Sequence, residues 1–260
     1  MNLFQLLLLS VVFYASGALA NSDSEQGLVI ATERKARDIG WTTSESTLQM
    51  VLRNAQGDES SRQLRIKSLE VHGEGDKGLT IFDQPLDVKG TAFLNHSHVD
   101  GADDQWLFLP ALKRVKRIAS QNKSGPFMGS EFAYEDLSSF ELKKYHFRLL
   151  EEAVFDSHET YVIEQIPTDK YSGYSKQIVW LDKAEYRPLK VEYYDRKNSL
   201  LKTLILSQYQ QYQGQYWRAH TLTMQNHLTK KSTTLQTEAL RFDVDLNEHD
   251  FNQASLRRAR

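Results

Sequence analysis

The sequence predicts a mostly β fold, an antiparallel sandwich or barrel, on three observations. Short runs alternate apolar and polar residues along most of the chain, and turn residues separate most of them. The strand–helix alternation of a doubly wound α/β fold is absent. A chain of 260 residues, 40% hydrophobic and 11% aromatic, can bury a sizeable core, and all-β proteins of this length often form one domain. No internal repeat or linker rich in Pro, Gly or Ser divides it.

The first segment is different. Residues 3–19 carry no charge and include Leu6-Leu7-Leu8-Leu9-Ser10-Val11-Val12-Phe13. The run ends in Ala18-Leu19-Ala20, a small-x-small site, before polar Asn21-Ser22-Asp23. This predicts a secretory signal peptide over residues 1–20, cleaved after Ala20, and a single domain over residues 21–260. Met1-Asn2 supplies no basic side chain, and a retained membrane anchor is the competing reading. Export to the periplasm is the expectation.

Residues 27–39 carry Leu28, Ala31 and Ile39 near helical spacing, with Gly40 as a stop. The period then changes. Leu48, Met50 and Leu52 share one strand face. Leu64 and Ile66 point one way and Leu69 and Val71 the other, which predicts a bulge. Gly73-Glu74-Gly75-Asp76-Lys77-Gly78 reads as a hairpin turn. Further strand-like runs lie at 79–82, 91–94, 106–109, 145–149, 161–163, 178–181, 189–193, 204–206, 222–224 and 235–240. The expectation is about ten or eleven short strands. Residues 124–140 break the rhythm: Gly125-Pro126 and Gly129 interrupt the chain, and residues 130–137 predict a short helix capped by Ser130. A second short helix is expected at 248–254.

Composition excludes several functions. The net charge of -2 argues against a general nucleic-acid binder. The absence of cysteine removes disulfides, thiol catalysis, cysteine zinc sites and lipoprotein acylation. Catalytic motifs are scarce. Ser120-Gln121-Asn122-Lys123 matches Ser-x-x-Lys, but no Lys-Thr-Gly or Ser-Asp-Asn accompanies it. His96 and His98, near Asp100, Asp103 and Asp104, read as a solvated loop before a metal site. Glu151 and Glu152 are adjacent on an alternating chain and point apart. No enzyme, cofactor or metal is expected.

Two features invite function. Lys113-Arg114-Val115-Lys116-Arg117 forms a basic stripe: Lys113, Arg114, Lys116 and Arg117 suit either a solvated edge strand or an anionic head group or acidic partner. An apolar excess, Trp106, Phe108, Phe127, Met128, Phe132 and Tyr134, stands outside regular alternation. Phe127-Met128 lies between Pro126 and Gly129, as a lid on an apolar cavity or a plug completing the core.

Family resemblance rests on longer blocks. These are Pro85-Leu86-Asp87-Val88-Lys89-Gly90-Thr91-Ala92-Phe93-Leu94; Asp104-Gln105-Trp106-Leu107-Phe108-Leu109-Pro110-Ala111-Leu112, running on through Lys113 to Ile118; and Phe127-Met128-Gly129-Ser130-Glu131-Phe132-Ala133-Tyr134-Glu135-Asp136-Leu137. Val179-Trp180-Leu181-Asp182, Val191-Glu192-Tyr193-Tyr194-Asp195 and Leu200-Leu201-Lys202 follow. Together they resemble the outer-membrane lipoprotein-sorting protein family, the LolA-like superfamily, in the branch found with RND-type exporters. The resemblance implies a strongly curved antiparallel sheet forming an unclosed barrel, with a few helices covering its open side. It implies a monomeric periplasmic carrier or chaperone that holds lipid or lipoprotein acyl chains in an apolar cavity, for lipoprotein sorting or for lipid transport with an RND-type exporter. The alternative is a non-carrier envelope module that docks on a membrane protein, and an acyl-sized cavity separates the two.

Overall fold

Thirteen strands form one antiparallel sheet in the computed structural model, which describes residues 15–258, with side chains from Ser22 onward. In chain order they are β1 (Thr43–Arg53), β2 (Glu59–Leu69), β3 (Lys77–Gln84), β4 (Ala92–His96), β5 (Asp104–Leu109), β6 (Arg114–Ile118) and β7 (Tyr145–Phe155). Then follow β8 (His158–Pro167), β9 (Tyr174–Asp182), β10 (Pro188–Asp195), β11 (Leu200–Tyr212), β12 (Tyr216–Asn226) and β13 (Ser232–Phe242). Helices α1 (Ala15–Ala36) and α2 (Gln253–Arg258) flank the series. The predicted secretion signal lies largely outside the described residues; the backbone of its last residues, 15–20, falls in α1.

Spatial order is β6-β5-β4-β3-β2-β1-β13-β12-β11-β10-β9-β8-β7. Every neighbour pair is antiparallel, and β6 and β7 are the two free edges, so the sheet is an unclosed barrel. Those edges are consecutive in the chain. Residues 119–144 must therefore cross from one edge to the other over the concave face.

Both faces of the first half of the sheet are apolar. Leu64, Phe82, Phe93, Leu107 and Ile118 enter the main core on the concave side. Leu79, Ile81, Ala92 and Leu94 alternate with them and pack on the convex side against Phe251 and Leu256 from the C-terminal segment. This corrects the expected bulge near Leu69. Pairing of β2 with β1 runs unbroken from Leu69 to Glu59. Leu69 changes parity because it packs in the convex cluster. True irregularities lie elsewhere, where the β1–β13 register shifts at Thr47/Leu48 and the β2–β3 register shifts at Gln63/Leu64.

Three other expectations change. The strands number thirteen and reach 13 residues, because strands such as β6 and the outer ends of β2 and β11 carry polar residues that hide the alternation. No α-helix spans residues 130–137; a 3-10 turn covers Tyr134–Leu137. Asp136 holds its start by accepting from the Ala133 N–H at 2.7 Å, while Ser130 donates to the Phe127 carbonyl at 2.7 Å. The C-terminal helix begins later than expected, after a separate turn at Glu248–Asp250.

α1 lies along the edge strand β7 with Ile30 and Ala31 buried in the main core. The approach is close: a Cβ on Gly27 would sit 2.8 Å from the Arg148 backbone. Only glycine fits there without displacing helix or strand. Gly27→Ala is expected to cost about 1–3 kcal/mol by overpacking, read as a lowered denaturation midpoint. The loss should be accompanied by faster hydrogen exchange in α1 than in α2.

Candidate functional site

The crossing segment fills one end of the concave face. Phe127, 2% exposed, sits 5.8 Å from Phe82, 5.2 Å from Phe93 and 5.6 Å from Tyr134, ring centre to ring centre. Met128 takes a positive φ of 52°, and its carbonyl accepts from Arg62 Nη1 at 2.5 Å. Phe132 and Ala133 are buried behind it.

Polar groups pin this segment to the sheet. Lys202, on the inward face of β11, meets Asp136 Oδ2 at 2.6 Å, with side chains 4% and 3% exposed. Lys202 also donates to the Glu131 carbonyl at 2.9 Å, and the Tyr174 hydroxyl donates to Asp136 Oδ1 at 2.7 Å. Asn226 Nδ2 reaches Glu131 Oε2 at 2.7 Å. Glu135 accepts from the Ser172 hydroxyl and the Gly173 N–H, each at 2.8 Å, and burial raises its pKa.

The other end is open. A cavity of about 720 Å³ lies between the last turn of α1, the Phe140 region and strands β1, β10, β11, β12 and β13. That volume falls within the roughly 300–1,000 Å³ of small-molecule sites. Its walls are Leu48, Leu206, Leu222, Leu240, Trp41, Phe140, Tyr186, Tyr209 and Trp217. Cationic Arg34, Lys35, Arg37, Arg187 and Arg218 stand among them. Broken alternation helps to widen it. Gln208, with φ 54°, lets Leu206 and Tyr209 both face inward although three positions apart. The extra residue of β13 at Glu238 does the same for Thr237 and Leu240. β12 and β13 pair only between Thr221–Gln225 and Ser232–Gln236, so they splay beside the cavity.

Sequence reasoning placed the site's apolar residues differently. Phe127, Met128, Phe132 and Tyr134 come together at the filled end, and none lines the cavity. Trp106 and Phe108 face the convex cluster under α2. The basic run occupies edge strand β6. Arg114 and Lys116 are exposed and share parity with inward Ile118. Lys113 stands at a left-handed position before the strand, and Arg117 pairs with Asp104 on the opposite face. His96 and His98 do not converge: His96 Nε2 meets the Phe251 carbonyl at 2.8 Å and His98 Nε2 meets Asp104 at 3.3 Å. The cavity residues were missed because each reads alone as ordinary alternation. Arg34 in the last turn of α1, with Arg37 and Asp38 just past its end, was the available signal.

A family model described as an uncharacterized protein matches residues 74–258. A crystal structure of a domain assigned to outer membrane lipoprotein sorting, from Vibrio parahaemolyticus, is 67% identical, with 90% of this chain and 99% of that one covered and a TM-score of 0.89. A DUF1329 family protein from Desulfovibrio piger is 28% identical over 90% of this chain and 99% of that one, with a TM-score of 0.85. A LolA superfamily protein from Nitrosomonas europaea shares the fold at 20% identity over 88% of this chain and 98% of that one, with a TM-score of 0.70. No match was found among curated proteins.

Two outcomes follow from the site's buried charges. Asp136→Ala strands the Lys202 charge and is expected to cost about 3–5 kcal/mol. Adding Lys202→Met should recover much of that loss in a double-mutant cycle followed by urea unfolding. Asp76, which lines the cavity, has its carboxyl pushed up to about 6 by burial, opposed by the Lys35 charge. Such a group takes up a proton on folding, so its stabilising contribution is complete below the ordinary value near 3.8 and is lost as pH rises through 6. Asp76→Asn should therefore raise Tm relative to the parent at pH 7.5, with the difference vanishing near pH 4.

Proposed function

Because this chain belongs to the outer-membrane lipoprotein-sorting protein family, a non-enzymatic family with the LolA-like fold, we propose that it is a periplasmic carrier for lipid or lipoprotein acyl chains. The observation that carries this reading is the cavity of about 720 Å³ in the concave face under α1. Leucines from β1, β11, β12 and β13 give it an apolar wall of the kind hydrocarbon needs, and charged groups stand where a head group or water would sit. Cargo occupies this cavity and not the end closed by Phe127. In this reading residues 1–20 direct export and are removed after Ala20. The exposed side chains of Lys113, Arg114 and Lys116, with Arg117, offer a basic edge to an anionic membrane surface or to the acidic face of an RND-type exporter.

Native mass spectrometry of the protein released from the periplasm tests the whole reading. A chain beginning at Asn21 and carrying a bound lipid is the expected species. Leu206 and Leu222 pair directly across β11 and β12 and both line the cavity. Leu206→Glu with Leu222→Glu should strip the lipid while the far-UV spectrum stays that of a β protein. Retention of the same lipid by this double variant would place cargo elsewhere, and a protein recovered empty under all mild conditions would count against carriage.

A further inference from the structure

Five cationic side chains line the cavity, and four of them have an acidic partner. Lys35 meets Glu141 at 2.9 Å, Arg37 meets Glu33 at 2.8 Å, Arg187 meets Asp182 at 2.8 Å and Arg218 meets Asp38 at 2.6 Å. Arg34 is the exception. Among the described residues it has neither a carboxylate within ion-pair distance nor a hydrogen-bond acceptor. Asp38, one helical turn further on, is engaged by Arg218.

The contact recorded for the Arg34 side chain is with a ring face, and no acceptor is hydrogen-bonded to it. Its guanidinium carbon lies 4.0 Å from the centre of the Phe140 ring. The Tyr209 hydroxyl is nearby and donates to the Pro188 carbonyl, but no hydrogen bond joins it to Arg34. Burial pulls the guanidinium below the usual arginine range, with Tyr209 and Asp38 opposing the shift from a distance. A guanidinium carries five N–H donors in a planar fork and no acceptor, and in half-buried Arg34 none of these donors meets a protein acceptor. Planar bidentate recognition of carboxylate or phosphate is what this fork does best.

We propose that Arg34 is the head-group site of the cavity, binding the carboxylate or phosphate of an anionic amphiphile whose hydrocarbon lies along Leu206, Leu222 and Leu240. The proposal rests on the carrier reading above and narrows it to cargo with an anionic head. The four paired cations form the rim, already neutralised, so they add little preference of their own. Arg34 alone offers uncompensated charge to a ligand. Stacking on Phe140 holds the fork in one plane and lowers the ordering cost of binding.

The test uses the delipidated full-length mature protein and the neutral fluorescent probe N-phenyl-1-naphthylamine. The probe is displaced in turn by oleate, oleyl alcohol, dodecyl phosphate, dodecanol and inorganic phosphate. A charge-assisted pair is expected to make each anion displace the probe at a concentration at least about tenfold below that of the alcohol of equal chain length. In Arg34→Met, whose aliphatic stem still covers Phe140, that ratio should fall below about twofold, and Arg34→Lys should restore part of it. Should Arg34→Met unfold, Arg34→Gln carries the same comparison. Equal displacement by anion and alcohol in the parent, or an undiminished ratio in Arg34→Met, overturns the head-group site while leaving acyl carriage standing. Binding of inorganic phosphate alone, with no gain from the attached chain, overturns the amphiphile in favour of a free anion. A parent protein that binds neither probe nor amphiphile removes the carrier reading, and this proposal with it.

Discussion

The Asp136–Lys202 ion pair sets the geometry on which the rest of the concave face depends. Edge strands β6 and β7 are consecutive in the chain, so the segment between them has to bridge the mouth of the half-barrel. A bridge of this length with no α-helix of its own would ordinarily be mobile. Asp136 makes it rigid by satisfying three donors at once: the Lys202 ammonium, the Tyr174 hydroxyl and the Ala133 N–H. Lys202 in turn reaches the Glu131 carbonyl and lies 5.2 and 5.1 Å from the Tyr174 and Tyr193 ring centres. A buried pair is weak evidence for net stability, because desolvation offsets much of its attraction. Its role here is positional. It specifies which part of the crossing segment meets β11, and so where Phe127 enters the core.

Position at one end decides what happens at the other. With Phe127, Phe132 and Tyr134 seated against Phe82 and Phe93, the first half of the sheet is closed by the chain's own aromatics. Phe140, where the segment turns toward β7, packs on Tyr145 and Phe147 and presents a ring face to Arg34 at the edge of the cavity. Among the described residues, Ser139 and Phe140 are the part of the crossing segment that lines the cavity with Leu206, Leu222 and Leu240. α1 is seated on β7 at Gly27, and its last turn presents Arg34 and Lys35 instead of leucines. The cavity is thus a consequence of two anchors, one on each side, and not of a missing side chain.

Much of the architecture was legible in the alternation, and the reasons for the remainder are physical. Leu48, Met50 and Leu52, or Leu189, Val191 and Tyr193, announce strands because one face is buried and the other is wet. β6 does not, since an edge strand of Arg114, Lys116 and Arg117 is dressed to stay in water. Leu69 was misread because the sheet is covered on both faces near β3 and β4, and parity there distinguishes two cores and not a bulge. The same double coverage sent Trp106 and Phe108 to the convex side, out of reach of Phe127. Cavity residues are harder still. The left-handed turn of the backbone at Gln208 and the bulge at Glu238 bring together positions that period-two counting assigns to opposite faces. An unpaired arginine is recognisable only once the partners of its neighbours are known.

The composition of the cavity wall also bears on whether it is preformed. A dry pocket lined only by leucines invites collapse, because filling it recovers dispersion contacts and buried area. Here the leucine wall faces planar groups that cannot fold inward cheaply. Arg187 lies 4.6 Å from the Trp217 ring centre and 5.0 Å from that of Tyr209 while paired to Asp182. Arg37 lies 4.3 Å from the Tyr186 ring centre while bonded to Glu33 and the Ala184 carbonyl. Trp217 is itself held by Glu185 through its indole N–H at 3.0 Å. Each stacked cation fixes an aromatic side chain, and each ion pair fixes the cation. The rim is therefore a set of interlocked plates whose ordering cost is met on folding, so that an entering hydrocarbon chain gains the leucine surface without having to organise it.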